Sequence, residues 1–257
     1  MKKQLTDFII KTSEMLTPSC GMLTLMPVDG SPLPEIKPGQ FVEVAVNSVM
    51  LRRPISICDV DYEANELRLL IRNAGKGTSE MLGLPEGSKL NILLPLGNGF
   101  TFSDDVVQPG SRMLLVGGGV GTAPLLYLGR ILRRKGAEVT FLTGAKTSAE
   151  LLLVDEMERI APVAVTTDDG SEGEKGFVVD STVWQKDYDR VYCCGPAPMM
   201  KAVAALARRK EVECEVSLEN MMACGLGACL CCVEKTVKGN VCVCSEGPVF
   251  NINELTW

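Results

Sequence analysis

The sequence predicts a protein that joins an all-β region to an α/β region and ends in a small cysteine-rich lobe. Short strands broken by Gly and Pro run up to residue 108, and strands alternate with helices from Pro109 onwards. Six of the eleven cysteines lie between Cys224 and Cys244. We therefore expect an N-terminal antiparallel β-barrel at 1–108, a parallel-sheet nucleotide-binding domain at 109–212 and a lobe at 213–257.

The barrel is predicted from short apolar runs that are separated by turn residues such as Pro38-Gly39. Regular short strands of this kind are typical of barrels and sandwiches. A single helical turn or more is expected at Ser79–Leu84. The predicted strands are Leu23–Met26, Gln40–Val46, Pro54–Cys58, Leu67–Arg72 and Lys89–Leu94.

The second region alternates strands with helices, which favours a parallel sheet covered by helices. Its predicted strands are Met113–Val116, Glu138–Thr143, Val163–Thr167, Asp189–Cys194 and Glu213–Leu218. Its predicted helices run from Leu125 to a stop at Gly136, from Ser148 to Ile160 and from Ala197 to Arg209.

Composition narrows the possible functions. With 257 residues and a net charge of −6, the chain is a poor candidate for binding nucleic acid or an anionic membrane. Its longest uncharged run, Met113–Gly129, carries five glycines and a proline, so we do not expect a membrane span. The first residues do not lead into a signal peptide, and a cytoplasmic protein is expected. The absence of histidine removes the commonest general base, and no catalytic side chain is predicted.

Four cysteines, Cys224, Cys229, Cys232 and Cys244, follow the spacing C-x4-C-x2-C-x11-C. This is the plant-type ferredoxin spacing for a [2Fe–2S] cluster held by four thiolates. Gly225 and the other small residues between the first two cysteines would let the chain turn around a cluster. A zinc site and a disulfide knot are the alternatives, although zinc usually has C-x2-C pairs and disulfides need an oxidising compartment. Two further cysteines, Cys231 and Cys242, fall off the spacing and are interpreted as bystanders.

Two stretches of the barrel region suit phosphate groups. Arg52 and Arg53 precede a strand, and a guanidinium is well suited to clamp a diphosphate, although a solvated strand edge is the alternative. The hydroxyl of Ser56 could hydrogen-bond a flavin ring edge. The Gly-rich turn at Gly75–Thr78 enters a short helix, whose free N–H groups favour phosphate, but a plain surface turn is equally consistent.

Two loops of the α/β region suit a dinucleotide. Gly117–Gly121 follows a strand and opens a helix, and Cys194–Pro196 ends a later strand. Ligands bind at the carboxyl ends of strands in such sheets. Tight helix–strand packing and a structural turn are the respective alternatives. If Asp168-Asp169 meets the ribose 2′ position, the two carboxylates would disfavour NADP.

Taken in order, these motifs resemble those of the ferredoxin–NADP reductase superfamily. The run Cys224–Cys232, followed by Val243–Phe250, narrows the resemblance to the electron-transfer subunits of NAD-linked, type B, dihydroorotate dehydrogenases. The resemblance covers essentially the whole chain. One departure is Ile55, which stands where the wider superfamily usually has an aromatic residue beside the flavin.

The resemblance implies sets of cofactor residues. The [2Fe–2S] ligands would be the four cysteines of the ferredoxin spacing. The residues that would bind FAD are Arg53, Pro54, Ile55, Ser56, Leu70, Ile71, Arg72, Gly77 and Thr78. The residues that would face NAD are Gly118, Gly119, Gly121, Thr122, Cys194, Gly195 and Pro196.

The resemblance also implies an activity. A partner catalytic subunit with FMN would oxidise dihydroorotate in pyrimidine biosynthesis. Electrons would pass from FMN through [2Fe–2S] and FAD to NAD+, in a heterotetramer of two relay and two catalytic subunits. One alternative is a reductase subunit that passes electrons from NAD(P)H to a ferredoxin-like or other redox partner. The other is a non-catalytic, cysteine-based redox or metal-binding module.

Overall fold

The computed structural model describes residues 3–257; Met1 and Lys2, where the predicted barrel domain begins, lie outside the described residues. The chain divides into two compact units. The barrel unit holds the chain up to Gly99 together with Asn220–Glu234 and Asn240–Pro248. The sheet unit holds Phe100–Glu219, Lys235–Gly239 and Val249–Trp257. The boundaries at 108 and 212 that the sequence suggests stay a prediction.

The barrel unit contains a closed antiparallel barrel of six strands, in the order β1-β2-β5-β4-β3-β6. This confirms the predicted class. A short helix, α1 (Lys76–Gly83), follows β5 and overlaps the predicted helical turn, although it ends one residue before Leu84. The strands are β1 (Gln4–Thr17), β2 (Cys20–Pro27), β3 (Phe41–Val44), β4 (Arg53–Asp61), β5 (Glu66–Arg72) and β6 (Lys89–Leu96).

The barrel holds together through inward apolar side chains from its strands. Phe8, Leu23, Ile57, Leu69 and Ile92 are completely buried. Every strand predicted in this region exists, although β3 ends at Val44 rather than Val46. The sequence analysis missed β1, whose apolar positions are interrupted by exposed polar ones and by a register shift after Ile10.

The sheet unit is built on a seven-stranded sheet of order β10-β9-β8-β7-β11-β12-β15. All neighbours pair in parallel except β15, which pairs antiparallel with β12 at one edge. The strands are β7 (Arg112–Gly118), β8 (Glu138–Ala145), β9 (Val163–Thr167), β10 (Glu174–Lys175), β11 (Arg190–Cys194), β12 (Glu213–Ser217) and β15 (Val249–Asn251). Its helices are α2 (Ala123–Arg134), α3 (Val154–Glu158) and α4 (Ala197–Arg209).

One predicted helix of this unit is wrong. The stretch Ser148–Ile160 does not form a continuous helix: a 3-10 turn covers Ser148–Glu150, and α3 begins only at Val154. Between them Leu153 adopts a left-handed backbone with φ of 62°. Leu152 and Leu153 are both buried, and a helix would point two such neighbours in different directions. Their burial therefore outweighs the local helical pattern.

The chain between β12 and β15 carries the cysteines. It contains a hairpin, β13 (Val233–Thr236) and β14 (Gly239–Cys242), followed by the helical turn α5 (Val243–Glu246). The stretches that hold all six of these cysteines belong to the barrel unit. Among residues 3–257, no helix is both long enough and apolar enough to cross a bilayer.

The packing of α2 on β8 gives a stability prediction. A Cβ added at Gly129 would overlap the ring of Phe141. We expect Gly129→Ala to lower the free energy of unfolding, because overpacking costs about 1–3 kcal/mol and exceeds the roughly 1 kcal/mol that alanine gains in a helix. Urea denaturation followed by circular dichroism measures the change.

Two further variants serve as controls. Gly83 ends α1 with no atom within 4 Å of an added Cβ, so Gly83→Ala should not lower stability. Adding Phe141→Leu to Gly129→Ala should recover most of the loss, because the smaller side chain vacates the overlap. An unchanged unfolding midpoint for Gly129→Ala would contradict the packing described here.

Candidate functional site

The two adjacent arginines at the start of β4 have different surroundings. Arg52 donates to the backbone oxygens of Glu43 (3.2 Å) and Asn91 (2.9 Å) and to the Asn91 side chain (2.6 Å). Its guanidinium therefore ties β3, β4 and β6 together. Arg53 donates only to local carbonyls in these contacts, from Nε to Arg52 (3.0 Å) and from Nη2 to Leu51 (3.2 Å). Arg53 is thus the better placed of the two to bind an anion.

The start of α1 lies against Arg53. A Cβ added at Gly77 would sit 3.1 Å from Cγ and Cδ of Arg53, so the glycine lets the helix approach the arginine stem. The Thr78 hydroxyl accepts from the N–H groups of Ala74 (2.9 Å) and Gly75 (3.1 Å) and shapes the preceding turn. Two separate predicted FAD segments are therefore brought together. A guanidinium beside a helix N-terminus is suited to hold a diphosphate.

The other predicted FAD residues line the neighbouring strands. Arg53–Ser56 pairs with β3, and Leu70–Arg72 pairs with β2. Ile55, Leu70 and Ile71 are buried, whereas Arg72 is exposed. The assignment of these side chains to FAD stays a prediction.

The cysteines of the ferredoxin spacing lie close together on tightly turned backbone. Gly225 and Gly227 have φ of 64° and 81°, a region that favours glycine. Backbone N–H groups point at the sulfurs: Leu226 donates to Cys224 (3.4 Å), Gly227 to Cys244 (3.1 Å) and Cys244 to Cys232 (3.4 Å). Such donors stabilise thiolates.

The thiols differ in acidity. Burial acts to raise the pKa of Cys224, but hydrogen bonds from the backbone of Leu226, Cys229 and Ala228 and from the Cys229 thiol bring it down to about 6. Burial, together with the neighbouring Cys232, raises the pKa of Cys244 to about 12. Cys229 is the most exposed of the four, while Cys232 and Cys244 are buried.

The two cysteines interpreted as bystanders are not equivalent. Cys231 is exposed to solvent. Cys242 donates from Sγ to the Gly227 carbonyl (3.8 Å), and burial followed by the charges of Cys232, Cys224 and Cys229 raises its pKa. Cys242 therefore lies beside the four. Within residues 3–257, no three or more Cys, Asp or Glu side chains are arranged to hold a single metal ion.

The cysteine-bearing stretches pack on the barrel. The Asn98 amide donates to the carbonyls of Ser245 (3.0 Å) and Glu246 (2.9 Å), and the Asn98 backbone N–H donates to Gly247 (2.6 Å). A Cβ at Gly97 would lie 2.6 Å from Cδ of Pro248, so only glycine permits this approach. The predicted cluster ligands and the predicted FAD clamp thus belong to one compact unit.

In the sheet unit, the two predicted nucleotide loops meet at the carboxyl ends of β7 and β11. A Cβ at Gly118 would lie 2.6 Å from Sδ of Met199 and 3.1 Å from Cδ of Pro196, and one at Gly121 would overlap the carbonyl of Cys194. The Thr122 hydroxyl donates to the Gly119 carbonyl (2.8 Å) and fixes the first turn. Gly118 and Gly121 therefore let the two loops pack closely at the edge where such sheets bind nucleotides, whereas Gly119 has no atom within 4 Å of an added Cβ.

Two acidic groups that the sequence analysis did not single out contribute to the barrel unit. Glu80 accepts from the N–H groups of Asn47 (2.9 Å) and Ser48 (2.7 Å), and bonding to Ser48 lowers its pKa. Glu43 is completely buried on β3. In the sequence, Glu43 is a charged residue within an apolar strand, which is a weak indication of a special role. The surroundings of the Glu43 side chain follow only from the closed barrel.

Two family comparisons match the chain. Residues 219–256 match the iron-sulfur cluster binding domain of dihydroorotate dehydrogenase B, and residues 115–205 match the oxidoreductase NAD-binding domain. The chain is 40% identical over 218 residues to the electron transfer subunit of dihydroorotate dehydrogenase B (NAD(+)) from Clostridium perfringens, covering 84% of this chain and 86% of the relative. The same subunit from Shouchella clausii is 39% identical over 227 residues, covering 85% and 86%.

A solved structure resembles the chain along almost all its length. It is an NADH-dependent reduced ferredoxin-NADP oxidoreductase, described for flavin-based electron bifurcation. The TM-score is 0.86 at 30% identity, and the match covers 97% of this chain and 90% of that one.

The contrast between the two arginines gives a binding prediction. Arg53→Ala should weaken FAD binding about 10- to 100-fold, because a hydrogen bond to a charged group contributes roughly 1.5–3 kcal/mol. Quenching of flavin fluorescence on titration into FAD-free protein measures the dissociation constant.

Two control variants separate the clamp from the fold. Arg53→Lys keeps the charge without the planar fork and should bind with intermediate affinity. Arg52→Ala should lower the melting temperature instead, because it removes three barrel hydrogen bonds. Full retention of FAD by Arg53→Ala would show that the clamp assignment is wrong.

Proposed function

The chain belongs to the family of dihydroorotate dehydrogenase B electron transfer subunits, and on that premise we propose that it carries electrons from a dihydroorotate-oxidising partner subunit to NAD+. The observation that best supports this role is the packing of the cysteine-bearing stretches on the barrel that carries Arg53. A relay needs its two redox groups on one rigid support. The family implies a catalytic partner; we propose that the partner carries FMN and that two subunits of each kind assemble in the cytoplasm.

The residues of the chain would bind and orient the redox groups. Arg53 and the start of α1 would hold the FAD diphosphate, and Ser56 would face the flavin ring. Cys224, Cys229, Cys232 and Cys244 would hold [2Fe–2S], with the N–H groups of Leu226, Gly227 and Cys244 donating to the sulfurs. When bound, the cluster exchanges single electrons and the flavin exchanges one or two, which suits hydride transfer to NAD+.

The two adjacent loops of the sheet unit, Gly117–Gly121 and Cys194–Pro196, would hold the dinucleotide. Gly119 would let the pyrophosphate approach the backbone, while Gly118, Gly121 and Thr122 would hold the loop in place. Cys194–Pro196 would face the nicotinamide. Burial raises the pKa of Cys194 well above its ordinary value, so its thiol stays neutral. Asp168 and Asp169 follow β9, and we propose that they disfavour the 2′-phosphate of NADP. No side chain needs to act as an acid or base in this role.

A second candidate function follows from the structural match to an NADH-dependent reduced ferredoxin-NADP oxidoreductase. In that case the chain would pass electrons between NAD(P)H and a ferredoxin-like partner. The same residues would bind the redox groups, so the two functions differ only in the partner. The partner must therefore be identified experimentally.

The relay can be tested by anaerobic visible spectroscopy of the purified chain. We expect flavin bands with a long-wavelength iron–sulfur shoulder, both bleached by NADH and much more slowly by NADPH. Dihydroorotate should bleach them only after the FMN-containing partner is added. Bleaching by reduced ferredoxin without that partner would favour the second candidate, and a colourless protein would exclude both.

The choice of cluster ligands can be tested with neighbouring cysteines. Cys232→Ser should abolish the cluster, because it removes a buried thiolate that also accepts from the backbone of Cys244. Cys231→Ser should leave iron content unchanged, because Cys231 falls outside the ferredoxin spacing. Iron and sulfide analysis with electron paramagnetic resonance after reduction measures both.

Cys242→Ser extends the same comparison to the thiol beside the four. We expect it to retain the cluster. Retention of the cluster in Cys232→Ser together with its loss in Cys242→Ser would mean that Cys242 takes the place of Cys232.

A further inference from the structure

Glu43 is a buried carboxyl group that the proposed relay does not use. Its relative exposure is 0%, and among the described residues neither carboxylate oxygen has a hydrogen-bond partner. Buried polar groups are almost always hydrogen-bonded, and an exception calls for an explanation such as a redox role. A glutamine or methionine would fill a similar volume without the cost of burying an acid.

The carboxyl lies against the first turn of the cysteine site. A Cβ added at Gly225 would be 2.8 Å from Cγ and 3.1 Å from Oε1 of Glu43, and 3.0 Å from Cδ1 of Leu96. Gly225 directly follows Cys224 and has a left-handed φ of 64°. The turn that carries the first predicted ligand therefore rests on the Glu43 side chain.

The nearby cations do not pair with this group. Arg52 donates to the backbone oxygen of Glu43, not to its carboxylate, and also binds Asn91. Burial raises the pKa of Glu43 to about 7; the charges of Arg53 and Arg52 lower it, and Cys224 raises it. The ionised side chain places a negative charge, little screened by water, beside the Cys224 turn.

We propose that Glu43 is a positioning residue of the cysteine site, whose carboxylate supports the Cys224–Gly225 turn and lowers the reduction potential of the cluster bound there. The proposal rests on the cluster assignment made above. Reduction adds an electron to a group already held by four thiolates, and nearby negative charge opposes that step. The potential of an iron–sulfur cluster depends on local charge, hydrogen bonds and exposure.

The decisive variant is Glu43→Gln, which keeps the shape and removes the charge. The assembled protein, with FAD and cluster, is titrated with redox mediators at pH 8.5, and the reduced cluster is followed by electron paramagnetic resonance. We expect the ratio of reduced to oxidised cluster at a fixed potential to rise about tenfold, which for one electron is a positive shift of about 59 mV. Glu43→Asp, which retains the carboxylate, should shift the potential less.

Glu35→Gln is the matched control, because it removes the same charge from an exposed position in the barrel unit. An equal shift in Glu35→Gln, or no shift in Glu43→Gln at full iron content, overturns the proposal. Loss of the cluster in Glu43→Gln also overturns the tuning role, because the side chain would then be needed only to build the turn. Failure of the cluster assignment would look different, since the unmodified protein would then lack the cluster.

Discussion

The contact between the cysteine-bearing stretches and the barrel is the constraint on which the rest depends. Asn98 satisfies three carbonyls of the helical turn and the residue after it, and Gly97 lets Pro248 approach closely. These groups fix the backbone near Cys244, while Glu43 and Leu96 support the turn at Cys224. The first and last predicted ligands are therefore both anchored to barrel strands or to the loop that follows them. Such anchoring holds a site to the precision that electron transfer requires.

Local features carried most of what could be predicted from the sequence. The cysteine spacing, the glycine loops and the strand–helix alternation each depend on residues close together in the chain. They were sufficient for the barrel, the parallel sheet and the candidate segments. The left-handed conformation of Gly225 and Gly227 also agrees with what their place between cysteines suggests. The roles of the individual FAD and NAD residues still depend on resemblance.

The remaining features depend on contacts between distant segments. The sequence alone does not distinguish the roles of Arg52 and Arg53. Arg52 is a structural residue because the fold places Glu43 and Asn91 within hydrogen-bond distance of its guanidinium. The continuous helix predicted at Ser148–Ile160 does not form, because Leu152 and Leu153 are both buried in the fold. β1 was missed because exposed polar residues and a register shift after Ile10 interrupt its apolar pattern.

The cysteine-bearing region is an insertion between two paired strands of the sheet, β12 and β15, and not a C-terminal extension. The chain leaves the sheet at Ser217, and Val249 returns to pair directly with that residue. Both ends of this insertion are thus held at one edge of the sheet by strand pairing. This limits the conformations open to the intervening chain even without metal. Ending the chain at Leu218 would remove an edge strand of the nucleotide sheet together with the cysteines. Because β15 follows the cysteines in the chain, a truncation that removes the cysteine region also alters the sheet unit.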